Sequence, residues 1–182
     1  MSIYKHGLID YRRNRHKSAG IIEQLSTFEL LAELGLGLAG FAGVAAAFGG
    51  RARDYGKVDF SRLMVLFSCA GFVVAGSLAV TTLAALGIEG ETTVVIVSAA
   101  TALIVAAAAV PLLRTAYQNT RDAPDAAPPY VLVIATIFLI TFESLLVLNI
   151  FKGGKAGLLL AAYSLALIYG LWVFVRLMTR PN

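Results

Sequence analysis

The chain has 182 residues, of which 58% are hydrophobic and 14% are charged, and its formal net charge at pH 7 is +4. A mean hydropathy of +0.78 lies far outside the usual composition of soluble globular domains and excludes that class. The sequence therefore predicts an integral membrane protein of the all-α class, a polytopic helix bundle.

Five apolar runs are long enough to cross a bilayer, because a hydrocarbon core about 30 Å thick needs about 20 apolar residues in a helix. In chain order they cover residues 27–48, 63–86, 92–112, 130–151 and 156–178, and most of the charge falls outside them. Residues 27–182 therefore form one predicted domain, a bundle of about five transmembrane helices. Residues 1–26 form a basic polar tail with too few apolar residues to bury a core.

The tail is strongly basic, which predicts contact with anionic lipid headgroups. Its basic residues are Lys5, Arg12, Arg13, Arg15 and Lys17. The two histidines, His6 and His16, lack the spacing and neighbouring ligands of a metal site. Such a short tail does not support nucleic-acid binding. Two glutamates in the apolar run that follows are unusual for a signal peptide, so we expect no cleavage.

The first run contains AELGLGLAGFAG, in which Gly35, Gly37 and Gly40 match the G-x-G-x-x-G pattern of dinucleotide-binding loops. That loop requires a preceding β-strand, but the preceding residues FELLAEL are mostly good helix formers. We therefore expect no nucleotide cofactor. Helices in a bilayer associate by close packing, so the glycines instead predict a face that contacts another helix.

Small residues recur at helical spacing in three of the runs and predict tight helix packing there. In the first run they share a helix face with Glu29 and Glu33. The predicted packing positions are Gly37, Gly40, Gly43, Gly71, Ala75 and Gly170. Faces of this kind favour association with sister copies or with a larger membrane complex.

Glu143 lies deep in the fourth run, about 12 Å from its nearer end at 1.5 Å per residue. A charge at such a depth costs about 2.5–3.5 kcal/mol on insertion scales. Three interpretations are open: a neutral carboxylic acid hydrogen-bonded to a neighbouring helix, an ion-pair partner, or a carrier of protons or a cation. No Lys or Arg lies in any apolar interior, which disfavours the ion pair. Together with Glu33 and Thr136, Glu143 is the predicted candidate for an intramembrane proton or ion site.

Catalytic motifs are absent from the sequence, which contains no G-x-S-x-G, no P-loop and no aspartate-rich magnesium motif. A single cysteine, Cys69, excludes an intramolecular disulfide. We therefore expect a protein that is not an enzyme and holds no cofactor or metal. The predicted function is a structural or accessory subunit that oligomerises or binds a membrane complex. The alternative is an ion- or proton-conducting channel or transporter that uses Glu143.

The basic residues between the runs predict an orientation through the positive-inside rule. One side carries Arg51, Arg53, Lys57, Arg62, Arg114, Arg121, Arg176 and Arg180. The other side carries only Lys152 and Lys155, although the five basic residues of the tail belong to it as well. We expect the C-terminus to lie in the cytoplasm.

Two stretches resemble those of a known class of proteins. ELLAELGLGLAGFAGVAAAFG, followed by a basic loop, and the ending YGLWVFVRLM are similar to small, uncharacterised multispan inner-membrane proteins of bacteria. The resemblance covers most of the chain from Phe28 onward. It implies a multi-pass protein of the bacterial inner membrane and, because it includes no catalytic motif, it implies no activity.

Overall fold

The computed structural model describes residues 24–44, 46–47, 57–88, 90–125 and 127–179. These residues form five helices and no strand: α1 (Gln24–Val44), α2 (Lys57–Ala85), α3 (Glu91–Asp122), α4 (Pro129–Phe151) and α5 (Ala156–Met178). All five are long and apolar enough to cross a membrane. The predicted all-helical membrane bundle is confirmed, and the chain is a multi-pass membrane protein. The basic residues of the tail and both histidines lie outside the described residues.

Three helices extend beyond the predicted apolar runs. α1 already includes Gln24, so the last three residues of the predicted tail are helical. α2 begins at Lys57, and α3 continues to Asp122 through residues that the sequence assigned to a loop. The physical reason is that a hydropathy pattern ends where charge begins, whereas backbone hydrogen bonds continue into water. In the first turns of α2, the ion pair between Arg62 and Asp59 at 3.1 Å supports such an extension.

Four helices form a closed ring. α2 packs most extensively on α5, and α3 on α4, while contacts between α4 and α5 and between α2 and α3 complete the circle. Neighbours in the ring are antiparallel, because short turns join α2 to α3 and α4 to α5. The two ends of the bundle therefore differ in charge. We call them the arginine end, with Arg62, Arg121 and Arg176, and the lysine end, with Lys152 and Lys155.

α1 lies outside the ring, against α2 and α5. An ideal β-carbon at Gly35 would stand 2.8 Å from Cγ2 of Val74 and 3.2 Å from the Ala70 carbonyl oxygen, so α1 approaches α2 at backbone distance. Phe28 packs edge-on against Tyr163 of α5, with the ring centroids 6.4 Å apart. The first helix is therefore fixed to the bundle along one face.

The turn between α4 and α5 depends on two glycines at the lysine end. Gly153 and Gly154 have φ angles of 76° and 81°, a left-handed conformation that glycine adopts readily. Gly154 is also pressed against the backbone of Glu91, whose carbonyl oxygen a β-carbon would overlap. Lys155 reaches Oε1 of Glu91 at 2.5 Å. The turn therefore ties the start of α5 to the start of α3.

Candidate functional site

Glu143 lies on α4 next to Phe142, which is buried in the core of the bundle. Oε1 of Glu143 is buried and has no hydrogen-bond partner in the described part of the chain. The first of the three interpretations, a hydrogen bond to a neighbouring helix, therefore finds no partner for this oxygen among the described residues. Glu143 also does not line the apolar cavity that the four ring helices form at the arginine end.

The structure does not bring the three predicted proton-site residues together. The Thr136 hydroxyl donates to the Leu132 carbonyl of its own helix at 2.8 Å, so that proton is engaged on α4 itself. Glu33 is exposed on α1, a helix that packs on α2 and α5. Glu33 and Glu143 thus lie on two different helices, α1 and α4.

Most of the packing positions predicted from the sequence do not contact another helix among the described residues. Ideal β-carbons at Gly37, Gly40, Gly43 and Gly71 would meet no described atom within 4 Å, and Ala75 is exposed. Packing of these positions against a second copy or another protein stays a prediction. Only Gly170 of the predicted set lies at a helix crossing, where its β-carbon would stand 3.0 Å from Leu38 and 3.4 Å from Cys69.

Two further glycines, Gly35 and Gly76, permit close helix packing inside the bundle. A β-carbon at Gly76 would overlap the phenol ring of Tyr163. Sequence reasoning missed both positions because several glycine faces compete on each helix. A buried aromatic partner, which selects among them, is not visible in the spacing of glycines.

An apolar cavity lies inside the four-helix ring at the arginine end, and we call it the pit. Its volume is about 120 Å³, and all four ring helices contribute to its wall. Apolar side chains dominate the interior, including Phe72, Val105, Phe142 and Ala166. Cys69, a free and buried thiol, is part of the same wall. The pit is therefore an apolar chamber within the bundle.

The pit is closed toward the lysine end by a packed layer of side chains. Tyr163 is fully buried there, with its hydroxyl 3.4 Å from the hydroxyl of Thr101 on α3. Further toward the lysine end, the Asn149 amide donates to the Ser98 hydroxyl at 2.9 Å. Asn149 Oδ1 also accepts the backbone N–H of Lys155 at 2.7 Å. The chamber therefore ends inside the bundle and does not continue to the lysine end.

The mouth of the pit is cationic and aromatic. The Arg176 guanidinium lies over the rings of Tyr130 and Trp172, at 5.0 Å and 5.4 Å from their centroids. Its Nη1 atom is buried and finds no hydrogen-bond acceptor among the described residues. Arg62, also at the mouth, is paired with Asp59. The mouth thus carries a net positive charge, with one guanidinium nitrogen whose hydrogen-bonding capacity is unused inside the described protein.

Metal-binding groups are not clustered in the part of the chain that the structure describes, where no group of three His, Cys, Asp or Glu side chains could hold a metal ion. The arrangement present is an apolar chamber with a cationic rim, which is suited to binding and positioning an amphiphilic molecule. Comparisons with protein-family models, with curated proteins and with solved structures found no match for this chain.

Proposed function

We propose that the protein is a non-catalytic membrane subunit that assembles with a second copy of itself through the outward face of α1. We call this surface the α1 face and define it by Glu33, Gly37, Gly40 and Val44. The observation that carries the proposal is the exposure of Glu33 within an apolar helix. A carboxyl group in that position needs a partner that the described chain does not supply.

The depth of Glu33 follows from its place in the helix. It lies six residues after Thr27, where the apolar run begins, or about 9 Å into that run. Exposure of an ionised carboxylate to lipid costs up to about 2.5–3.5 kcal/mol on insertion scales, the value for a helix centre. Covering Glu33 with a polar or small-residue surface of another helix removes much of this cost.

The glycines next to Glu33 leave room for a partner helix. Gly37 and Gly40 follow Glu33 at intervals of four and three residues, so all three lie on one side of α1. No described atom lies within 4 Å of an ideal β-carbon at either glycine. Close backbone approach is what drives helix association in lipid. This surface therefore supports a tight helix pair.

A second copy suits the chemistry of the α1 face. A protonated carboxyl group can donate one hydrogen bond and accept another, so two Glu33 side chains can pair with each other. In a dimer with two-fold symmetry, the same surface of both copies forms the interface, so Glu33 of one copy can lie beside Glu33 of the other. No Lys or Arg lies in the apolar interior of any run, which argues against pairing of Glu33 with a basic group of another copy.

We also propose that the protein resides in a bacterial inner membrane with the arginine end in the cytoplasm. The resemblance of the first and last helices to small bacterial inner-membrane proteins supports the location. The orientation is supported by the positive-inside rule, since Arg62, Arg121 and Arg176 lie toward one end while Lys152 and Lys155 lie at the other.

Conduction through Glu143 is the weaker candidate. A conducting route needs polar groups through the whole thickness of the membrane. Glu143 does not line the pit, and the pit ends at the buried layer around Tyr163. The geometry therefore supports an assembling subunit better than a channel.

Cysteine cross-linking tests the assembly. In a Cys69→Ala background, Gly37→Cys and Gly40→Cys should form disulfide-linked dimers in membranes, because a disulfide requires Cα atoms within about 7 Å. Ile137→Cys, on an exposed face of α4, is the matched control and should stay monomeric. Equal cross-linking at all three positions would contradict the proposal.

A second measurement separates assembly from folding. Gly40→Leu should convert the dimer to a monomer in mild detergent and leave the melting temperature of the monomer unchanged, since its side chain enters open space. Light scattering coupled to size-exclusion chromatography gives the mass of the protein without its detergent. A wild-type protein that is monomeric under these conditions, or a Gly40→Leu variant that remains dimeric, would refute the α1 face as the interface.

A further inference from the structure

We infer that the pit binds one acyl chain of an anionic phospholipid, whose phosphate group contacts Arg176 at the mouth. The inference does not depend on assembly through the α1 face, because the pit lies inside the four-helix ring and α1 does not line it. Three properties of the pit carry it: its depth, its volume and the chemistry of its mouth.

The depth of the pit matches one leaflet of a bilayer. On α5 its wall runs from Arg176 at the mouth to Ala166 at the base, a distance of about 15 Å at 1.5 Å per residue. On α2 the wall runs from Val58 to Phe72, a distance of about 21 Å at 1.5 Å per residue. One leaflet of a bilayer is about 15 Å thick in its hydrocarbon part and about 20–22 Å thick with its headgroups. The length of an acyl chain therefore matches the distance from the mouth of the pit to its base.

The volume of the pit selects a chain and excludes a helix. One water-sized group needs about 10–15 Å³ of such a cavity, so 120 Å³ accommodates on the order of ten such groups. A helix with its side chains is about 10 Å across and is too wide to enter. Water is a poor occupant, because apolar walls give it few hydrogen-bond partners. A single alkyl chain is narrow enough to enter the pit and needs no hydrogen-bond partners from its walls.

The mouth supplies the recognition of a headgroup. Nη1 of Arg176 is buried without an acceptor among the described residues, and an anionic phosphate oxygen is a strong acceptor for a guanidinium. The rings of Tyr130 and Trp172 lie within cation–π distance of the guanidinium and so favour its position at the mouth. Arg62, the other arginine at the mouth, is paired with Asp59 and therefore competes less with Arg176 for the phosphate group.

The position of Arg176 agrees with a lipid entering from the surrounding bilayer. It lies two residues before the end of α5 at Met178, about 3 Å along the helix axis, which is close to the level of the headgroups. Interhelical basic pockets at this level are a known means of binding anionic lipid headgroups. A zwitterionic headgroup brings a cation of its own, so we expect it to bind more weakly.

Native mass spectrometry on the full-length protein tests the inference. The protein is purified in mild detergent and incubated with phosphatidylglycerol or with phosphatidylcholine carrying the same acyl chains. We expect one phosphatidylglycerol per chain to be retained at higher collision energy, and phosphatidylcholine to bind roughly five- to tenfold more weakly.

Two groups of variants separate the headgroup from the chain. Arg176→Gln should remove the preference between the two lipids, and Arg121→Gln, an exposed arginine at the same end that does not line the pit, should preserve it. Ala135→Leu and Ala108→Leu narrow the pit and should reduce retention of both lipids by at least about tenfold. Val133→Leu, two residues away on the exposed side of α4, is the matched control for chain binding.

The outcomes are distinguishable from a folding defect, since each variant is first checked by its thermal unfolding. The two variants that narrow the pit lie on different helices, so binding of the acyl chain can still be tested if one of them does not fold. Equal retention of both lipids by the wild type overturns the inference. So does a preference that survives Arg176→Gln in folded protein, and so does displacement of phosphatidylglycerol by oleate at equal concentration.

Discussion

The phenol of Tyr163 on α5 lies directly against the α-carbon of Gly76 on α2, where a β-carbon would overlap it. Tyr163 also packs edge-on against Phe28 of α1 and lies within 3.4 Å of the Thr101 hydroxyl on α3. One fully buried side chain therefore joins four helices. Gly76 is the position that allows it to fit, because no other residue leaves that space free.

Gly76→Ala should lower the stability of the bundle. Overpacking of a filled core costs about 1–3 kcal/mol, and the gain from replacing a helical glycine by alanine, about 1 kcal/mol, offsets only part of it. We expect a net loss of up to about 2 kcal/mol, measured by thermal or denaturant unfolding in detergent.

Gly71→Ala is the matched control on the same helix, since its β-carbon would meet nothing within 4 Å. It should leave stability unchanged or slightly raised. Tyr163→Phe combined with Gly76→Ala should recover part of the loss, because it removes the hydroxyl that a β-carbon would overlap. Equal losses of stability in Gly71→Ala and Gly76→Ala would contradict the close contact between Gly76 and Tyr163.

Ser98→Ala should destabilise the protein by about 1 kcal/mol, because it leaves the buried Asn149 amide without its acceptor. Asn149→Leu should cost more, since Asn149 also accepts the backbone N–H at the start of α5. Ser144→Ala changes an exposed hydroxyl on the same helix as Asn149 and is the control. Unfolding in detergent measures all three, and a loss for Ser144→Ala as large as that for Ser98→Ala would contradict the assignment.

Glu143→Gln should change stability by less than about 1 kcal/mol, in line with the modest worth of interhelical hydrogen bonds in membranes. Glu143→Leu should be neutral or stabilising, because it removes a buried oxygen that has no partner among the described residues. Glu143→Lys should prevent folding, since a cation would replace the carboxyl at the same depth.

Vesicle measurements separate a structural Glu143 from a conducting one. Wild-type protein reconstituted into liposomes should show no proton or ion flux above that of empty liposomes. A flux that is present in the wild type and lost in Glu143→Gln would replace the proposed function by conduction.

Labelling with a membrane-impermeant thiol reagent tests the orientation. In a Cys69→Ala background, Ile88→Cys at the exposed turn between α2 and α3 should react from the periplasmic side. A reporter fused after Asn182 should behave as cytoplasmic. Reaction of Ile88→Cys only after the cytoplasmic side is opened would reverse the orientation and indicate that the basic tail governs topology.

Parts of the candidate site were accessible to sequence reasoning, and others were not. The place of Glu143 within an apolar helix follows from the sequence, and so does the small-residue position at Gly170. The pit was not predicted, because its wall combines residues from four helices that share no sequence motif. From the sequence, Arg176 was interpreted only as a basic residue that sets the orientation, and its contacts with Tyr130 and Trp172 depend on how α4 and α5 meet.

The sequence by itself determined the class of the protein and the number and approximate limits of its helices. These are properties of single segments, since a run of about 20 apolar residues spans a bilayer whatever its neighbours are. The same logic failed at the ends of α2 and α3, where helices continue into polar sequence.

Only the tertiary structure decided which face of each helix is inward. In water, an apolar stripe marks the buried face, but lipid tails are as apolar as leucine, so α4 can be apolar on nearly every side without revealing its contacts. Shape complementarity between particular side chains makes the choice instead. Tyr163 against Gly76 selects one face of α2 and leaves Gly71 outside, and the same selection turns Glu33 with Gly37 and Gly40 outward, toward the surface that we propose binds a second copy.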